Sequence, residues 1–178
     1  NYFLISYFII GLILAGYYET WLIAFSVGGI SIIAYYSVKV ALPKSNLYQY
    51  VLGAVLGIFM AQFIYQMHGL FEMHFFAFIG SAVLITYQNW KLQIPMMIVV
   101  VLHHTTLAWL QHIGIDKVYF SQIDFDLQTL IIHVTLAAVI FFVCGLWAYH
   151  LNKYSELHIT QCMQMGVLQQ EALMSIER

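Results

Sequence analysis

Eight histidines stand in a chain of 178 residues that is otherwise almost bare of ionisable groups, and six of them fall between His68 and His133: His68, His74, His103, His104, His112 and His133. Imidazole is the commonest side-chain ligand for copper, zinc and iron. Adjacent residues on a helix point about 100° apart, so His103 and His104 serve one centre only if it lies between their directions. Otherwise they serve two partners. Glu72, two residues before His74, adds a carboxylate. Three readings of it stand side by side: a ligand, an acceptor that orients an imidazole, or a solvated residue opening a helix. Met67 and Met73 flank these groups and would favour reduced copper if they turned inward, although methionine ordinarily packs.

The elements that must position these side chains are apolar helices. The chain is 62% hydrophobic and only 8% charged, against roughly a quarter charged in soluble domains. That excludes a soluble globular domain. At roughly 20 apolar residues per span there is room for about five to seven helices. Apolar runs at Tyr2–Tyr17, Trp21–Leu42, Tyr48–Met67, Met73–Tyr87, Leu92–His112 and Leu130–Leu151 predict six, parted by short breaks rich in charge, Pro or Gly. The first run lacks a basic leader and a small-residue cleavage site, so it reads as a span. Cys144 lies in an apolar run and Cys162 in a polar one, which argues against a disulfide. The net charge of −2 and the lack of a basic run give no support to nucleic-acid binding. No pattern for nucleotide or hydrolytic chemistry occurs, so enzymatic work is not expected within this region.

Lys39, Lys44, Lys91 and Lys153 fall at even-numbered breaks or after the last run, and only Lys117 at an odd one. The excess of basic residues predicts that both termini are cytoplasmic. Glu19, Glu72, Asp116, Asp124 and Asp126 then face the other side. Tyr17, Tyr18, Trp21, Tyr48, Tyr87, Trp90 and Trp109 lie near helix ends, as an interfacial aromatic belt requires.

On this topology the six histidines lie in the non-cytoplasmic half, while His150 and His158 lie at the cytoplasmic end. His133 is about one turn into its helix and His104 roughly 12 Å from the end of its own. His74, His104 and His133 can therefore meet at one depth if the fourth, fifth and sixth helices pack together. A polar ring in hydrocarbon is by default a functional candidate. The candidate ligands are His74, His103, His104 and His133 with Glu72, and His68 and His112 follow as interfacial or supporting groups. Hydrogen bonding between helices is the plain alternative. A b-type heme would need two axial histidines and a slot, which Gly53, Gly57 and Gly80 could open, although close helix packing selects the same glycines. One ion or a pair accounts more simply for four histidines and a carboxylate at one depth, and copper is favoured.

After Lys153 the composition turns polar, with Ile159, Met163, Val167 and Leu173 at broadly helical spacing. The expected organisation is a transmembrane region at 1–152 and, at 153–178, a cytoplasmic helix that pairs with its twin in a homodimer and leads to an output domain.

The string Glu72-Met73-His74-Phe75, the turn Tyr87-Gln88-Asn89-Trp90, His103-His104, Leu110-Gln111, Val118-Tyr119-Phe120 and the later His133 resemble a polytopic N-terminal sensor region. That region occurs in bacterial methyl-accepting chemotaxis proteins, diguanylate cyclases and sensor histidine kinases. The likeness covers mainly residues 68–150. It departs at Asn89 and Lys91, where the family pattern has Asp and Arg. It implies an inner-membrane sensor whose site positions are Glu72, His74, His103, His104 and His133, followed by a kinase, cyclase or chemotaxis output. The leading expectation is thus a transmembrane sensor whose histidine-bound centre moves the last helix. A membrane redox protein, a b-type cytochrome or metal oxidase, is the alternative, and a transporter with a polar pathway comes third.

Overall fold

The computed structural model describes residues 1–115, 118–119 and 127–176, and side chains at 127, 129 and 130 fall outside that description. Asp116, Lys117, Phe120, Asp124 and Asp126 therefore lie outside the described residues. Among those described, the chain forms six helices and no strand. They are α1 (Tyr2–Tyr18), α2 (Trp21–Ala41), α3 (Leu47–Gln66), α4 (Phe71–Ile85), α5 (Trp90–His112) and α6 (Leu127–Ile176). A π-helical turn interrupts α2 at Ala24–Gly28, and α4 and α5 open with 3-10 turns at Phe71–His74 and Trp90–Leu92.

Helices α2, α3, α5 and α6 are long and apolar enough to cross a membrane, while α1 and α4 are shorter apolar helices. The 17 residues of α1 reach about 26 Å, a little under the roughly 30 Å of a hydrocarbon core. Large apolar side chains line the outer surfaces, among them Ile13, Leu22, Ile33, Leu102, Leu136 and Phe142. Water would penalise that surface and lipid does not, so the fold fits a membrane protein.

The core is built around α3. Leu52, Leu56, Phe59, Met60, Phe63 and Ile64 are fully buried on it, and α1, α2, α4 and α5 all pack against it. Gly53 and Gly57, four apart, present a bare strip to α5. A Cβ at Gly53 would come within 2.6 Å of the Leu92 carbonyl oxygen, and one at Gly57 within 3.0 Å of the Val99 side chain. Gly80 on α4 does the same for the Met96 side chain, at 2.7 Å. The space these three glycines leave is thus filled by α5.

Two polar clasps hold the helices. Ser81 Oγ donates to Gln93 Oε1 at 2.8 Å, and Gln93 Nε2 donates to the Ser81 carbonyl at 3.0 Å, joining α4 to α5. On the other flank Gln62 Nε2 donates to Gln66 Oε1 at 3.0 Å, and Gln66 Nε2 donates to the Gly11 carbonyl at 2.9 Å and Thr20 Oγ1 at 3.2 Å. A buried amide needs such partners in an apolar interior.

Helix α6 differs from the rest. It runs unbroken for 50 residues, about 75 Å, and no break marks the change of composition at Lys153. It leans on α4 and on the opening turn of α5, where Gly145 faces Trp90 and Gln93 and Ala148 is fully buried. From Lys153 onward nearly every residue is exposed. At this end of the bundle the α2–α3 turn, the α4–α5 turn and α6 surround a polar cavity of about 430 Å³ lined by Asn46, Gln49, Gln88, Asn89, Tyr149 and Asn152. Lys44, Lys91 and Lys153 therefore share one end of the bundle, and the histidines below lie at the other.

Candidate metal centre

Each imidazole of the site arrives by a different local device. Helix α3 ends at Gln66, and His68 and Gly69 then take left-handed backbone with φ of 51° and 79°. Gly69 adopts this freely, whereas for His68 it is costly. The His68 ring is held by stacking, with centroids 3.9 Å from Tyr18 and 4.2 Å from Tyr119. This reversal sends the chain into the 3-10 turn that places His74, 4% exposed, at the head of α4. His104, also 4% exposed, sits on the inner face of α5. His133 lies near the start of α6, partly exposed, with Phe71 edge-on to it at 5.8 Å.

The three rings form a nearly equilateral triangle. Centroids are 5.3 Å apart for His74 and His104, 5.4 Å for His74 and His133, and 5.4 Å for His104 and His133. One ring nitrogen from each lies within 4.8 Å of the others, a spacing that could hold a metal ion. His104 Nε2 and His133 Nε2 are 3.4 Å apart. Two nitrogens each about 2.0–2.1 Å from one tetrahedral ion lie at roughly that separation.

Backbone carbonyls set the tautomers. His74 Nδ1 donates to the Phe71 carbonyl at 2.9 Å, and His104 Nδ1 donates to the Val100 carbonyl at 2.8 Å. A carbonyl only accepts, so each Nδ1 carries the proton and each Nε2 keeps its lone pair. Supporting hydrogen bonds of this kind orient imidazoles in metal sites.

The other expected ligands stand apart from this triangle. His103 neighbours His104, with ring centroids 5.3 Å apart, but is not one of the three. The rotation of about 100° between consecutive helix positions takes its ring off the shared direction. Glu72 is exposed on the 3-10 turn, His112 is exposed at the end of α5, and His68 is in its tyrosine stack. Met73 packs against the apolar core. The reading of the residues missed Gln62, Gln66, Ser81 and Gln93, although an amide inside an apolar run is itself a signal in a membrane helix.

No family model, curated protein or solved structure matches this chain. The chemistry of the three imidazoles is what bears on function.

Proposed function

We propose that this chain is the transmembrane sensor region of a signal-transduction receptor, and that His74, His104 and His133 hold a transition-metal ion, copper by preference. The observation that carries the reading is that three imidazoles converge from three helices, and that the third stands on the helix that leaves the body. A change in occupancy or oxidation state at the ion alters how tightly α6 is held to α4 and α5. An equilibrium between two placements of α6 is thereby shifted.

The donor set favours a monovalent ion. Three neutral imidazoles bring no negative charge of their own, and the cost of burying a charge rises steeply with its size. Copper(I) meets that condition better than zinc(II). A heme is a poorer fit: the mutual contacts of the rings leave no slot between them, and the glycines that might have opened one face α5.

In the membrane all six helices cross, α1 and α4 near the short limit, with the lysine end and both termini in the cytoplasm. Ile159, Met163 and Val167, four apart and each more than half exposed, form the stripe on which α6 pairs with a second copy and leads to an output domain. The resemblance to chemotaxis receptors, diguanylate cyclases and sensor kinases supports the same assignment. Asn89, where that pattern has Asp, caps α5 by accepting from the Lys91 backbone N–H at 3.2 Å.

The test is an absorption spectrum with elemental analysis on protein purified in detergent, oxidised and reduced. Stoichiometric copper without a Soret band, lost in His104→Ala and His133→Ala, is the expected result. A Soret band with sharp reduced α and β bands would replace the ion by a heme and favour the membrane redox protein. Neither metal nor heme would overturn the metal assignment.

A further inference from the structure

Helix α6 leans chiefly on α4 and on the opening turn of α5, and meets the rest of α5 more sparsely. A cavity of about 90 Å³ opens there, bounded among the described residues by these two helices. His104 and His133 form one end of it. Val100 and Val101 wall it on α5, and on α6 Ala137 and Phe141 follow His133 at intervals of four. Ala137 is the small residue of that row, so the cavity exists where a larger side chain would have closed it. Apart from the two imidazoles, the lining offers almost nothing that hydrogen-bonds.

The geometry points to a binding site for a small uncharged diatomic molecule, of the dioxygen, nitric oxide or carbon monoxide class, that reaches the His74–His104–His133 centre through this cavity. The inference rests on the metal reading above. Three observations carry it. First, three imidazoles leave a four-coordinate ion one open position, and the cavity meets the metal site at two of those imidazoles. Second, an apolar chamber of this kind stays dry, so it favours a ligand that water does not hold. Third, the size fits: a water occupies about 30 Å³ and an engineered cavity of about 150 Å³ takes benzene. A space of about 90 Å³ is thus ample for a diatomic molecule. Such ligands dissolve in hydrocarbon, and the cavity lies in the apolar part of the bundle, so lipid is the route of supply. For carbon monoxide, the probe below, binding is ligation only, and no electron leaves or joins the ion.

The test uses the chain in lipid nanodiscs, loaded with copper(I) under argon, with copper counted before carbon monoxide is added as the probe. The C–O stretch is read by infrared spectroscopy across a carbon monoxide titration. The expected result is one saturable band. Ala137→Phe and, from the opposite wall, Val101→Phe should weaken carbon monoxide binding at least about tenfold while copper content stays the same. Leu136→Phe, at an exposed position, should leave it unchanged. Retained copper in the two cavity-filling variants certifies that the site has folded. Copper present with no band, or a band equally strong in both filled variants, overturns this inference and leaves the metal reading intact. Absence of copper from the wild-type protein overturns the metal reading first, and this one with it.

Discussion

At the scale of single residues, the division of labour among the histidines is decided by direction more than by depth. His103 and His104 share a depth, yet only His104 belongs to the triangle with His74 and His133. Accordingly, His74→Ala, His104→Ala and His133→Ala should each lower metal affinity by more than the roughly 10–100-fold that loss of a supporting hydrogen bond costs. His103→Ala should lower it by less than about tenfold. A competition titration against a chelator of known affinity measures all four, and a His103→Ala loss equal to the others would bring that ring into the centre. The depth coincidence was legible beforehand, because rise per residue times distance from a helix end fixes how deep His74, His104 and His133 lie. Which neighbour of the His103-His104 pair turns inward was not legible, since the rotation of α5 is set by Gly53 and Gly57 on another helix. The tautomers were equally out of reach, because they depend on where the Phe71 and Val100 carbonyls happen to stand.

Among the elements, α5 is the hinge of the assembly, since it touches α3 through glycines, α4 through a reciprocal clasp and α6 through its opening turn. Gly53→Ala places a methyl against the Leu92 carbonyl, a backbone atom that cannot swing aside. A loss of about 1–3 kcal/mol is expected, read as a lower thermal midpoint in detergent. Gln93→Ala removes both hydrogen bonds to Ser81, with an expected cost of about 1–2 kcal/mol. In a double-mutant cycle with Ser81→Ala the two changes should be clearly less than additive. Strict additivity in unfolding would mean that the clasp contributes nothing. Helix number and approximate limits were readable from apolar runs, because hydrocarbon demands them. Other features were not: the π turn of α2 and the 3-10 turns opening α4 and α5. These arise from contacts between helices, and no periodicity along one helix encodes them.

For the whole molecule, the decisive property is continuity of α6 from His133 to Ile176. Spin labels at the exposed positions Glu156 and Glu171, fifteen residues apart, should lie about 22 Å from each other along the axis. With labelled chains diluted in unlabelled ones, so that distances between copies drop out, pulsed electron–electron spectroscopy should report one narrow distance, and Thr160→Pro should broaden it. A broad distribution in the unsubstituted chain would mean that the helix ends near the membrane, and the proposed relay would lose its rod.

The anchorage of that rod fixes its mechanics. Gly145 faces Trp90 and Gln93, and in the proposed relay this contact would act as a fulcrum. His133 is twelve residues to one side, about 18 Å, and Ile176 thirty-one residues to the other, about 46 Å. The arms are unequal by a factor of about 2.5. A straight rod would turn a shift of about 1 Å at the imidazole, the scale on which coordination bonds lengthen or break, into about 2.5 Å at the far tip. Seen this way the long helix is a lever that trades force for displacement, and stiffening its outer arm should sharpen whatever response the proposed metal site provides.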